Sequence, residues 1–293
     1  MTAELGIFLA LGASIAWAFG TVLSFRAATT MGAFAVTRIQ MISASLVLAL
    51  LALANGPDPR IAEFWISVGI SSVIGVLIPN LAFMACLGRA GPAFAQVLFA
   101  TRTPITALLG FFVFNQTLVG HDLAAIATVT AGVAMVAAVG STRSDAAMPS
   151  RLWAGITLGL IAAAGNAVGV MVLLPAIEAG VHPLTVSAAR TGVAALLLMP
   201  TFFIGARKRE AASIFGWRQL LAASVPGILG YVVAVTLQLW SLLYLQAGVA
   251  AALSSLAPVL VLPIMWAMTG KAGKPLAWAG AAVVCAGVAL LRM

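Results

Sequence analysis

Three arginines interrupt otherwise apolar stretches: Arg38, Arg102 and Arg190. Arg102 is the deepest, near the middle of the apolar run 92–113. About nine residues lie on either side of it, so as a helix its backbone sits roughly 15 Å from each end at a rise of about 1.5 Å per residue. An arginine at that depth is costly against lipid and faces a cavity or a partner. Its planar fork of donors suits a carboxylate or another anion. The competing role is structural: Pro104, two residues on, breaks the helix and leaves carbonyls that the guanidinium caps. Arg38 and Arg190 stand nearer the starts of their own runs, where a long stem reaches the interface. Their matched places are expected to make them paired gate or interface elements near opposite membrane faces.

Other polar groups in apolar runs are Trp17, Thr21, Asn80, Gln96, Asn166, Gln238, Tyr244 and Ser254. Trp17 and Thr21, four apart, share a helix face. An amide or hydroxyl in lipid must find a partner, so each points inward, as glue between helices or as a substrate contact. Together with Arg102 they are the candidate substrate-binding set, the aromatics packing an apolar body and the polar groups holding its head. The acids Glu4, Asp58, Glu63, Asp122, Asp145, Glu178 and Glu210 all lie outside the middles of the runs. A carrier of organic cations wants a buried carboxylate, so a neutral, zwitterionic or anionic solute fits better. No nucleophile–base pair, metal-ligand set or phosphate loop is present, which excludes catalysis, metals and cofactors from the reading. Gly12, Gly20, Gly88 and Gly91 follow no strand and read as packing glycines. Cys86 and Cys285 lie in apolar runs and read as buried thiols.

The elements that must hold these groups are membrane helices. Only 8% of the 293 residues are charged, against about 25% in a soluble domain. That is too little to clothe a water-facing surface, so lipid surrounds the chain. Ten continuously apolar windows qualify as spans: 4–24, 33–54, 64–86, 92–113, 121–139, 152–174, 184–204, 219–243, 249–269 and 275–291. Barrel strands would be shorter and would alternate. The first window lacks a basic leader and a processing site, and reads as a span. The net charge of +8 comes from scattered Lys and Arg, with one run at Arg207-Lys208-Arg209, and points to anionic lipid rather than nucleic acid.

The chain repeats itself. Gly6 and Gly20 recur as Gly155 and Gly169, Arg38 as Arg190, Pro104 as Pro258, and "AGVA" at 131 returns at 286. The offsets drift in one direction from 149 to 155, as loop-length differences would make them. The expected architecture is all-α: two five-helix repeats, 1–143 and 144–293. An odd helix number per repeat sets them in opposite orientation, the inverted arrangement of many transporters. The connectors after the odd helices carry, with their helix edges, 11 Lys or Arg, and the other face only Arg60 and Arg292. The positive-inside rule then puts both termini outside.

The stretches "GASIAWAFG" at 12–20, "AGPAFAQVLFATRTPITALLGFFVFNQ" at 90–116 and "GVAAALSSLAPVLVLP" at 248–263, with Arg38, Arg190 and the "AGVA" closures, resemble the EamA-type members of the drug/metabolite transporter superfamily. The resemblance covers nearly the whole chain. It implies a ten-helix secondary transporter with a central cavity lined mainly by helices 1, 3, 4, 6, 8 and 9. The Gly-Glu pair common after helices 4 and 9 in that family is replaced by Asn115-Gln116 and by Thr269-Gly270-Lys271. Many members are assigned cytoplasmic termini, opposite to the charge count. The expected function is export of small metabolites, such as amino acids or organic acids, by a monomer in a bacterial inner membrane. The alternatives are a hydrophobic-drug exporter and a non-transporting scaffold.

Overall fold

The computed structural model describes residues 2–114, 149–201, 216–254, 256–270 and 274–290, with parts of 120–135. The described residues form helices and no strand. They are α1 (Thr2–Met31), α2 (Ala33–Asn55), α3 (Pro59–Ala90), α4 (92–114), α5 (Leu123–Gly132), α6 (149–178), α7 (Pro183–Leu198), α8 (Trp217–Ser241), α9 (247–269) and α10 (Pro275–Leu290). Seven of them, all but α5, α7 and α10, are long and apolar enough to cross a membrane. The expected windows match within about five residues, with three exceptions. The first helix runs on to Met31, seven residues past its expected end. The fifth lies largely outside the described residues. The seventh stops at Leu198 rather than near 204.

The outward faces carry large apolar side chains, among them Phe8, Leu50 and Phe112. Trp153 and Trp217, exposed near the starts of α6 and α8, sit where an interfacial indole belongs. Inside, small residues let the helices approach closely, and larger ones such as Met41, Leu48, Leu173 and Ile177 fill the space between them. Ala10, Ala13, Ala18, Ala44, Ala162, Ala163 and Ala250 are almost wholly buried. Single glycines reverse the chain between neighbours. Gly91 (φ 82°) ends α3 and leads straight into Pro92 of α4, a backbone angle that a side chain disfavours.

Packing is crossed between the two parts of the chain. α1 lies against α8 and α9, and α6 against α3 and α4, while α7 packs on α2. The tightest approach is backbone on backbone: a Cβ built on Gly169 of α6 would lie 2.1 Å from Gly75 Cα of α3.

Five of the described helices are interrupted; in α6 the helix stops at Met171 and resumes at Leu174. α3 carries a π-helical stretch at Ser71–Leu77, and α8 another at Ile228–Ala234. α4 is split between Pro92–Ala100 and Arg102–Phe114, and α9 between Ala247–Ser254 and Ala257–Thr269. Proline explains the splits in α4 and α9. Pro104 and Pro258 have no N–H to give the carbonyl four residues back, which is Ala100 in α4 and Ser254 in α9.

At one end of the bundle the α2–α3 connection is fastened to the α6–α7 connection. Arg60 donates to Asp58 through Nε (3.0 Å) and Nη2 (2.6 Å), and to the carbonyls of Ala179 (3.0 Å) and Gly180 (2.7 Å). Asp58 also accepts from the His182 N–H at 3.2 Å. The Arg60 guanidinium holds the Asp58 carboxyl down at about 2.

Candidate functional site

The π stretches of α3 and α8 border a cavity of about 60 Å³, room for roughly four waters. α1 supplies Trp17, Thr21 and Ser24, and α3 supplies Asn80 and Phe83. Gln96 and Phe99 come from α4, just before its break. Gln40 of α2, Asn166 of α6, Arg190 of α7 and Tyr231 of the α8 π segment complete the wall.

Several polar groups of the wall are satisfied by one another. Gln96 Nε2 donates to Thr21 Oγ1. Gln40 Nε2 donates to Ser24 Oγ at 2.9 Å. The Trp17 indole N–H donates to the Gly230 carbonyl at 3.1 Å, within the π stretch of α8. Trp17 and Phe83 each lie tilted against Phe99 with ring centroids 5.1 Å apart. The cavity wall therefore combines an aromatic cluster with amides and hydroxyls, α1, α3 and α4 each supplying both.

Of the expected substrate-binding residues, Trp17, Thr21, Asn80, Gln96 and Asn166 meet here. Arg102 stands behind the wall. Its guanidinium lies 3.8 Å from the Trp17 ring centroid and 4.8 Å from that of Phe99. It donates to Asn166 Oδ1 (3.3 Å), to the Ser254 carbonyl (2.9 Å) and to Ser254 Oγ (3.1 Å). The Ser254 carbonyl is the one that Pro258 leaves without its helical donor. Thr103 Oγ1 reaches the neighbouring Ala251 carbonyl at 3.3 Å. Ser14 of α1 closes the rest of the α9 break, donating to Leu253 O (2.7 Å) and accepting from Leu256 N (3.2 Å). The freed carbonyl that Arg102 holds is not in its own helix. The break it caps is in α9, and Ser254 belongs to the same clamp. Gln238 is buried in α8 outside the cavity wall, and Tyr244 lies past the end of α8 beside Gly6.

Arg190 departs from expectation. It does not reach an interface: it is 1% exposed and lines the cavity. The physical reason is helix length. α7 ends at Leu198, so Arg190 is at its middle rather than a third of the way in. Its Nη2 donates to the Gly75 carbonyl at 3.3 Å. That carbonyl is four residues before Pro79, which has no N–H to give it. Arg38 stays half-buried, 5.9 Å from the Phe34 ring centroid. Sequence reading passed over Gln40, Ser24 and Tyr231. The signal for Gln40 was an amide within the apolar run of α2.

The EamA-like transporter family model matches residues 4–138 and, separately, 153–293. Among solved structures, one described only as "Crystal structure of protein" superposes with a TM-score of 0.75. It is 17% identical, over 98% of this chain and 96% of that one, a likeness of fold. No curated protein sequence matches.

Proposed function

Because the chain belongs to the EamA-like transporter family, we propose that it carries small metabolites, such as amino acids or organic acids, out across the membrane by alternating access. Membership makes it a polytopic transporter and not an enzyme. The observation that carries the finer reading is the cavity itself. It is mostly apolar, with the rings of Trp17, Phe83 and Phe99, and has a smaller polar share from hydroxyls and amides; its wall comes from helices of both parts of the chain, including the π stretches of α3 and α8. Irregular backbone at that depth belongs where it lines a cavity.

The two parts, 1–143 and 144–293, act as inverted five-helix repeats. Support comes from the paired family matches, and from the π stretches at Ser71–Leu77 and Ile228–Ala234. The paired breaks in α4 and α9 and the crossed packing of α1 and α6 add to it. Rocking of one repeat against the other opens the cavity to each side in turn. Trp17, Thr21, Asn80, Gln96 and Asn166 contact the solute, Arg102 and Ser254 hold the broken helices in place, and Arg38 serves at the edge as an interface element. The protein works as a monomer in a bacterial inner membrane with both termini outside. The charges behind that orientation include Arg143, Arg207, Lys208, Arg209, Lys271 and Arg292, which lie outside the described residues.

The test is transport by purified protein in liposomes, with counterflow measured for a panel of amino acids, carboxylic acids and hydrophobic drugs. Saturable counterflow of at least one metabolite is expected. Liposomes with protein that behave like empty ones for the whole panel would refute the reading.

A further inference from the structure

Resting on that reading, we propose that Arg190 and Asn80 form an anion subsite in the cavity, and that the solute is a small organic monoanion with an apolar body rather than a zwitterion. Several buried side-chain polar atoms among the described residues have no hydrogen-bond partner, and two of them belong to residues of the cavity wall. They are Arg190 Nε and Asn80 Nδ2. Both are N–H donors, on side chains only 1% and 3% exposed. Arg190 and Asn80 both line the cavity and each holds an N–H donor without a partner, so an acceptor brought to this part of the wall would be met by unsatisfied donors.

The charge count agrees. Among the described residues the one salt bridge joins Asp58 and Arg60, at the end of the bundle. The described acids Glu4, Asp58, Glu63 and Glu178 all lie at helix ends or in connections. Arg190 is held by one long bond to the Gly75 carbonyl, which leaves its charge without a counterion in a low-dielectric site. The other deep arginine is the contrast. Arg102 donates to Asn166 and Ser254, lies against two aromatic faces, and stands outside the wall. A carboxylate accepts from a guanidinium in the plane of its fork, and a second donor such as the Asn80 amide takes the remaining lone pair. Trp17, Phe83 and Phe99 then cover the solute's apolar part. An α-ammonium would enter a site that already holds an unneutralised cation and has no described carboxylate.

Four matched probes separate the alternatives: isovalerate, its neutral amide isovaleramide, valine (isovalerate with an α-ammonium) and the cation isoamylamine. Binding to the detergent-purified protein is measured by titration calorimetry. Isovalerate should bind about tenfold or more tightly than each of the others, since the lost hydrogen bonds to a charged group are worth that much. Arg190→Gln should lose about tenfold or more of the isovalerate affinity, with helical content and elution volume unchanged. Asn80→Asp, which sets a like charge in the subsite at nearly constant volume, should abolish it even if Arg190→Gln does not fold. Valine or isovaleramide binding as well as isovalerate would overturn the proposal. So would undetectable isovalerate binding, or full affinity in both variants. Transport of the metabolite panel is read separately, so a protein that moves solutes but ignores isovalerate refutes only the anion subsite.

Discussion

The Gly75–Gly169 contact makes a quantitative prediction. A methyl added at Gly169 would lie 2.1 Å from Gly75 Cα, 3.0 Å from its N and 3.3 Å from its carbonyl carbon. Carbon atoms rest about 3.5 Å apart or more, so α3 and α6 must separate by about 1.4 Å at their crossing. Every obstacle is backbone, and no rotamer change relieves it. Overpacking of this kind costs about 1–3 kcal/mol, here at the upper end. Alanine returns roughly 0.5–1 kcal/mol relative to glycine within a helix, leaving a loss of about 2 kcal/mol for Gly169→Ala. At about 2–4 °C per kcal/mol for a chain of this size, the melting temperature falls by about 4–8 °C. Gly69→Ala is the control in α3: nothing lies within 4 Å of its added methyl. Only the helix gain remains there, and the melting temperature rises by about 1–4 °C. The assay is fluorescence-detected size exclusion after heating in detergent. Gly169→Ala melting within about 1 °C of the parent would show that α3 and α6 do not meet as described.

Three further outcomes follow from other contacts. Ser14→Ala strips the α9 break of a donor and an acceptor at once, leaving Leu253 O and Leu256 N without that partner, and should cost about 1–3 kcal/mol in unfolding titrations. Arg102→Lys keeps the charge but loses the planar fork that spans Asn166 and Ser254; melting temperature should drop while the apparent KM for any transported solute stays near the parent value. The Asp58 carboxyl, held at about 2 against an ordinary 3.8, stabilises its fold contacts at all pH above the ordinary value and loses that contribution only as pH falls through about 2. Asp58→Asn should therefore melt below the parent by a constant interval from pH 5 to 8, as measured by differential scanning fluorimetry, and a gap that closes within that range would contradict the assignment.

Most of the architecture was legible because lipid demands long apolar runs, and their limits emerge from composition alone. Pro104 foretold the break in α4, and its repeat partner Pro258 stands at the corresponding break in α9. What the sequence hid was which acceptor each arginine takes. Arg102 looked like the solute contact because it lies deepest in its run, yet the carbonyl freed by Pro258 is in a helix more than 150 residues away and claims it. Arg190 looked shallow because the apolar run of α7 continues past Leu198, where the helix stops. Gln40 and Tyr231 became wall residues through the azimuths at which α2 and α8 pack, and azimuth is set by partners rather than by local pattern. Neither π stretch has a hydrophobic signature of its own, so both were invisible.

Those π stretches change how the chain tolerates altered length. A π turn spends about one residue more than an α turn on the same advance along the axis. Removing a single residue from Ile228–Ala234 in α8 can be absorbed by relaxing that stretch to α-helix. Trp217 and Ser241 then keep their places at the two ends while Tyr231 and its neighbours swing around the axis. The same deletion in the regular part of α2 has no such slack, and turns everything beyond it by about 100°. A scan of one-residue deletions would thus find its permissive positions beside the cavity, where the backbone already carries the spare residue.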